Sequence, residues 1–453
     1  MNIKQLISER KESYLESLFE VLRQKSISPQ NDGMKACANL VLNKLRDAGI
    51  NDVRLIETDG YPVVYGEYFV SDEVPTILLY GHYDVQPPDP IEQWNSPPFE
   101  PEIRDGRIYA RGAGDNKGQF MAHILAVKTM IEAEETLPVN VKFVIEGEEE
   151  IGSVHLSDFI EANKALLKTD FVYTSDGPML SDGSPYILLG VRGILYVELK
   201  LKQSAYDNHS GNKGNIAKNP AWTLVELLHT MRDSDGKVLI DGFYDDVVKP
   251  TDTEIKLMKA LPFDIEDIRR DIGDDSLNMT QEEYYNKLCF EPTFNIAGFN
   301  SGYAGEGQKT IIPGEAVLKM DMRLVKNQDP DKIFELFKEH VESFSKDIEV
   351  VKMGTMNPSR TSPEYKFIEI IKESLEHSFE RTSYIQPSMG GSLPDDVWTK
   401  ILNVPSVVVP YANADEANHS PNENIKVDYF YHGIETTYRL IQSLSKYDKN
   451  SLK

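Results

Sequence analysis

The sequence predicts an α/β fold in which a mostly parallel sheet is flanked by helices and a second, α+β domain is inserted into the first. Three observations carry this. Short apolar runs of strand length alternate with helical segments up to about Pro185, the pattern of strand–helix–strand units that build parallel sheets. From Tyr186 the texture changes to long alternating strands and a polar, mostly helical stretch. Near Pro358 the first pattern resumes. The expected boundaries are 1–186 and 358–453 for the two parts of the first domain and 187–357 for the insert.

Taken in order, Lys11 to Arg23 places Tyr14, Leu15, Leu18, Phe19 and Leu22 at helical spacing, and Gly33 to Ala48 forms a second helix closing at Gly49. Val53 to Ile56, Val63 to Val70 and Thr76 to Tyr80 are predicted strands, the last bounded by Pro75 and Gly81. A helix from Phe120 to Met130, a strand from Val139 to Ile145 and a strand from Phe171 to Ser175 follow. In the insert, Tyr186 to Leu189 and Ile194 to Leu201 are strands and Pro220 to Met231 is a helix. Thr251 to Leu288 is a solvated helical region, and strands Ala316 to Leu324 and Ile348 to Met353 flank the helix Asp331 to Phe344. The return to the first domain brings a helix at Pro363 to His377, a strand at Ser406 to Val409 and a closing helix at Tyr429 to Ser445.

Composition narrows the function classes. A chain of 453 residues can bury a large core in two or more domains. A formal net charge of −25 argues against nucleic acid as a partner, because phosphate binding needs basic surface. No apolar run approaches the roughly 20 residues of a membrane span, and the first residues lack the apolar core of a signal peptide. With two cysteines, Cys37 and Cys289, no disulfide framework is implied, and a cytoplasmic location is expected.

The candidate chemistry lies just past the predicted strands. Thr76 to Tyr80 runs into Gly81-His82-Tyr83-Asp84, and the glycine-rich turn Gly112-Ala113-Gly114-Asp115-Asn116-Lys117-Gly118 holds a central carboxylate. The strand ending at Ile145 runs into Glu146-Gly147-Glu148-Glu149-Glu150-Ile151-Gly152-Ser153, and Phe171 to Ser175 ends in Asp176. The strand near Ser406 precedes His419. His82, Glu150, Asp176 and His419 can thus be delivered to one sheet edge, where open α/β sheets bind ligands.

These stretches, with Asn418-His419-Ser420, resemble in order and spacing the co-catalytic metallopeptidases of the M20 family, over nearly the whole chain. The long insert looks most like the carnosinase-type dipeptidase branch. Supporting stretches include Asp207-Asn208-His209-Ser210-Gly211, Gly305 to Pro313 and Met322-Arg323-Leu324-Val325. The resemblance implies a catalytic domain of phosphorylase/hydrolase-like architecture and a lid that also forms a homodimer interface. It further implies two divalent metal ions per subunit, most simply Zn2+, with Mn2+ or Co2+ able to occupy an oxygen-rich site. His82 and Asp176 would hold one ion and Glu150 and His419 the other, with Asp115 bridging. Asp84 would accept the His82 ring N–H and fix its tautomer.

Amide hydrolysis at neutral pH needs an activated water and a stabilised oxyanion, and a pair of such ions supplies both. Glu149 is the expected general base, passing the water's proton to the leaving amine. The triplet Glu148-Glu149-Glu150 leaves the register open by itself. The family places its carboxylate pair one residue before Gly-Ser, which selects Glu149 and Glu150. By resemblance, His209 reaches the partner subunit's site and helps stabilise the oxyanion. Arg323, Gly391 and Ser392 would bind the C-terminal carboxylate of a small peptide, although Met389 stands where relatives often carry a basic residue. The expected activity is hydrolysis of dipeptides or short peptides with a free C-terminus. An N-acyl-amino-acid deacylase using the same site is the alternative within the enzyme class. A non-catalytic binding protein is the alternative outside it, against which all six of His82, Asp115, Glu149, Glu150, Asp176 and His419 are present.

Overall fold

The computed structural model describes residues 3–134 and 136–452. An eight-stranded sheet runs in the order Asp52–Ile56, Val63–Tyr68, Asn140–Glu146, Thr76–His82, Phe171–Thr174, Ser406–Val408, Tyr186–Leu188 and Tyr384–Gln386. Its four middle strands, Asn140–Glu146 to Ser406–Val408, are mutually parallel, so their C-terminal ends open on one edge. The sheet is mostly parallel, with antiparallel pairs where Asp52–Ile56 and Val63–Tyr68 close one side.

Helices cover both faces, and successive residues of the central strand point alternately into them. Ile77 and Leu79 pack in the layer built by helices Ile3–Arg23, Met34–Asp47, Lys117–Glu134, Lys366–Phe379 and Val427–Leu444, while Leu78 and Tyr80 pack opposite against Leu156, Phe159 and Trp398. A strand buried on both sides has no reason to alternate polar with apolar, which is why Thr76–Tyr80 reads as one apolar run.

A second sheet, Asn295–Ser301, Glu315–Leu324, Gly193–Lys202 and Ile348–Met356, is antiparallel throughout. Helices Pro220–Met231 and Pro330–Phe344 share its core with Leu195, Val197, Leu199 and Leu201. Helices Asp252–Ala260 and Gln281–Phe290 share a smaller cluster around Met258, Tyr285 and Cys289, against which Tyr384 of the eight-stranded sheet packs. Among the described residues no helix is long and apolar enough to cross a membrane.

Several elements depart from expectation. The first helix starts at Ile3 rather than Lys11, because Ile3, Leu6 and Ile7 continue the buried stripe. The strand Tyr186–Leu188, which the expected boundary at 186/187 cuts, belongs wholly to the eight-stranded sheet. Its parallel partner is Tyr384–Gln386, nearly two hundred positions away, which no local pattern reveals. The strand Asn295–Ser301 was not expected. It is an edge strand with Ile296 and Phe299 half exposed, so its side chains follow no inside–outside alternation.

Candidate active site

His82 is the last residue of its strand and fully buried. Its Nδ1 lies 3.2 Å from the Asp84 carbonyl oxygen and 3.3 Å from Asp84 Oδ1. With acceptors on that side, the proton is assigned to Nδ1 and the lone pair to Nε2. Nε2 has no hydrogen-bond partner, and it faces Asp115 Oδ1 at 3.2 Å and Asp176 Oδ2 at 3.7 Å. On the other side of Asp115, Oδ2 is 3.1 Å from His419 Nε2, which also lies 3.0 Å from Glu150 Oε2. Two groups of ligand atoms therefore form, His82 with Asp115 and Asp176, and Asp115 with Glu150 and His419, and Asp115 gives one oxygen to each. A lone pair turned on carboxylate oxygens in a buried place calls for a cation between them. Imidazole and carboxylate donors in this mixture suit divalent metals, so the residues fit a dinuclear centre.

The titration behaviour has the same cause. Burial works to raise the Asp115 carboxyl, but the His419 and His82 rings outweigh it and hold it well below the usual carboxylate range. His419 is pushed up to about 10 by the Asp115 and Glu150 carboxylates. Burial acts to lower His82, yet Asp115, Asp176 and Asp84 raise it well above the ordinary imidazole value. The carboxylates that hold a proton on these rings also favour a cation in its place, which takes the Nε2 lone pair of His82.

The three consecutive glutamates are sorted by their partners. Glu148 turns away to His155 Nδ1, at 2.9 Å, and to the backbone N–H groups of Tyr61 and His155. Glu150 accepts from the Gln86 side chain at 3.0 Å and backbone N–H at 3.2 Å, and faces His419. No hydrogen bond or ion pair among the described residues engages the Glu149 carboxylate. Glu149 and Asp176 line a narrow cleft with Tyr80, Leu393 and Trp398. Burial, followed by the charges of Asp176, Asp115 and Glu150, lifts its carboxyl well above the ordinary value.

Glu149 and Glu150 lie past the strand, which stops at Glu146, on the short turn Glu149–Ile151. Gly147 makes the turn possible, since a Cβ there would meet the Tyr83 ring at 2.4 Å. His419 likewise arrives from a long loop between Ser406–Val408 and Asn424–Lys426, with φ of 55°, and not directly from a strand.

Some positioning groups escaped the sequence reading. Glu423 is fully buried and accepts from the backbone N–H groups of Gly112, Gly114 and Asp115, each at 3.0 Å, and from Arg111 Nη1 at 2.7 Å. It clamps the glycine-rich turn that carries Asp115. Asn116 donates to Asp176 Oδ1 and the Ser175 carbonyl and accepts from His82 N–H, tying three ligand-bearing segments together. Ser28 donates to Asp84 Oδ2 at 2.7 Å. The only available signal was that Glu423 and Asn116 stand within four residues of His419 and Asp115.

Arg323 lies opposite Ile194 on the second sheet, and its Nη1 donates to Ser392 Oγ at 2.6 Å. Leu393, the next residue, lines the Glu149 cleft, so this loop adjoins the carboxylate cluster. His209 is placed elsewhere. It is exposed on the strand Asn208–His209, its Nδ1 accepts the Gly211 N–H at 3.0 Å, and nothing among the described residues links it to the cluster of its own chain.

Fold and site together define an α/β protein whose mostly parallel sheet carries, at the C-terminal edge of its strands, two adjoining groups of residues fit to hold divalent cations. Residues 78–443 match the peptidase family M20/M25/M40, and the chain belongs to that family. It is 34% identical over 373 residues to the human Beta-Ala-His dipeptidase, covering 80% of this chain and 74% of that protein. It is 29% identical to a Cys-Gly metallodipeptidase of Schizosaccharomyces pombe, covering 88% and 86%. The crystal structure of an M20 family metallo-carboxypeptidase from Sulfolobus solfataricus superposes with a TM-score of 0.88 at 39% identity, covering 96% of this chain and 99% of the other.

Proposed function

We propose that the protein is a metal-dependent dipeptidase that hydrolyses the amide of dipeptides or very short peptides with a free C-terminal carboxylate. The observation that carries this is the unpartnered Glu149 carboxylate beside an Asp115 shared between two imidazoles. The named relatives that cleave dipeptides support the substrate class.

His82, Asp115 and Asp176 would hold one divalent ion, and Asp115, Glu150 and His419 the second, with zinc best suited to the donors. When bound, the pair acidifies water and polarises the scissile carbonyl. Asp84 keeps the His82 ring in the tautomer that offers Nε2. Glu149 takes the water's proton and returns it to the leaving amine, for which a raised carboxyl is suited. Arg323 and Ser392, already joined, orient the peptide by its carboxylate, with the Gly391 backbone beside them.

The four-stranded sheet and its helices act as a lid and dimerisation domain inserted between the two parts of the catalytic domain. Trp222, Val225, Ile296 and Phe299 lie exposed on one helix and the open edge strand, as an isologous interface requires. His209, exposed and unattached to its own cluster, is available to a partner's site. A cytoplasmic location accords with two buried free cysteines.

The test compares metal-loaded and chelated protein on a dipeptide panel and on N-acetyl amino acids. Hydrolysis of dipeptides that disappears on chelation is expected. Activity confined to N-acetyl amino acids, or undiminished by exhaustive chelation, overturns the reading.

A further inference from the structure

We propose that Arg192 is a second arm of the carboxylate anchor, and that Arg192 and Arg323 together select peptides whose C-terminal residue is Asp or Glu. The inference rests on the dipeptidase reading and specifies its substrates.

The two arginines converge on one loop. Arg323 Nη1 donates to Ser392 Oγ at 2.6 Å, and Arg192 Nε donates to the Gly390 carbonyl at 2.8 Å. They start from neighbouring strands, since Gly193, next to Arg192, pairs with Leu324, next to Arg323. Gly390 leaves the room this needs: a Cβ there would fall 3.2 Å from Arg192 Nη2 and 2.6 Å from Leu288 Cδ1. The loop is held from its far side as well, where Leu288 packs on Gly390 and Cys289 Sγ donates to the Ser388 carbonyl at 3.2 Å. Two guanidinium groups thus contact a supported loop whose continuation, Leu393 to Asp395, lines the cleft of Glu149.

Neither has a carboxylate partner among the described residues. In a chain with 73 acidic and 48 basic residues this is an imbalance against the grain. Other interior arginines are paired, Arg111 with Glu423 at 2.7 Å and Arg360 with Glu254 at 3.1 Å. Arg192 and Arg323 are instead half-buried with like charge facing like. Burial first, and then the Arg323 charge, push the Arg192 guanidinium below its ordinary value. A peptide's terminal carboxylate offsets one of the two cations. A second carboxylate on the same residue offsets the other, and guanidinium–carboxylate hydrogen bonds are among the strong ones.

The experiment uses metal-loaded protein and matched pairs of nearly equal shape, Ala-Asp against Ala-Asn and Ala-Glu against Ala-Gln. The acidic member should be preferred by about tenfold or more in kcat/KM, carried mainly by KM, as one additional charged hydrogen bond implies. In Arg192→Met the preference should shrink toward unity, and Arg192→Lys should keep part of it. Equal or reversed preference in the native protein overturns the proposal and leaves the dipeptidase reading intact, as does an undiminished preference in Arg192→Met. Failure to cleave any of the four peptides, with N-acetyl amino acids hydrolysed, removes the dipeptidase reading and this inference with it.

Discussion

The carboxylate cluster and the arginine pair, joined through the loop whose Leu393 lines the Glu149 cleft, are built on opposite plans. The cluster gathers Asp115, Glu149, Glu150 and Asp176 around two imidazoles on the turns and loops at the C-terminal edge of the parallel strands, and its acids exceed its bases. Gln86 orients the Glu150 carboxylate, Asn116 that of Asp176, and Glu423 holds the backbone that carries Asp115. The anchor joins a strand of the second sheet to a glycine loop of the first, and its cations have no acids opposite. Two other interior arginines, Arg111 and Arg360, do have acidic partners, Glu423 and Glu254. Unmatched charge is costly to bury, and on the proposed reading the acidic cluster is offset by cations and the arginine pair by a substrate carboxylate.

The contrast can be broken most severely at Glu149. Glu149→Ala should lower kcat by about a thousandfold or more while both metals stay bound, because this carboxylate has no partner in either ligand group. Metal analysis of the purified variant checks this; loss of an ion would mean that Glu149 is a ligand. Mixed with equally inactive His209→Ala under conditions of demonstrated subunit exchange, it should recover part of the activity, since one hybrid site would be complete. Absence of recovery would count against a shared site.

Removing charge from the anchor is expected to do less. Arg323→Met should raise KM by about 30- to 100-fold with kcat nearly kept, the loss of a charged hydrogen bond felt equally in ground and transition states. Steady-state kinetics separate this from an effect on kcat, which would place Arg323 in the chemical step.

The smallest effect probes a group outside both regions. His123 is buried between Tyr173 and Tyr411, and burial lowers it to about 3 from the ordinary 6.5. Below pH 6.5 the unfolded chain takes up a proton there that the folded chain refuses, so the native state loses about 1.4 kcal/mol per pH unit, or about 2 kcal/mol by pH 5. Denaturant titrations of His123→Gln should therefore show a shallower fall in stability between pH 6.5 and 5 than the native protein. Equal slopes would indicate that the ring is protonated in place.

Local pattern carried far for elements that repeat a strong period. Thr76–His82, Lys117–Glu134 and Pro330–Phe344 lie within a few residues of expectation, because each is long enough or apolar enough to declare its period. It missed the exposed edge Asn295–Ser301 altogether, and it found the strand Tyr186–Leu188 but not the sheet to which it belongs. In the same way, His82, Asp115, Glu150, Asp176 and His419 were legible as donors, because each stands in a motif. Glu423, Asn116, Gln86 and Arg192 were not, since their work is done through partners far away in sequence, as Glu423 meets Asp115 across 308 positions.

By itself the sequence determined which residue types were available at the ends of its strands and, through the M20 pattern, in what order they come. Only the tertiary structure decided what Glu148 binds instead, which oxygens of Asp115 face which ring, and which arginines lack acidic partners. The reason is that chemistry of this kind depends on distances of about 3 Å between groups hundreds of residues apart, and those distances are fixed by strand pairing and burial, not by any property of the local chain.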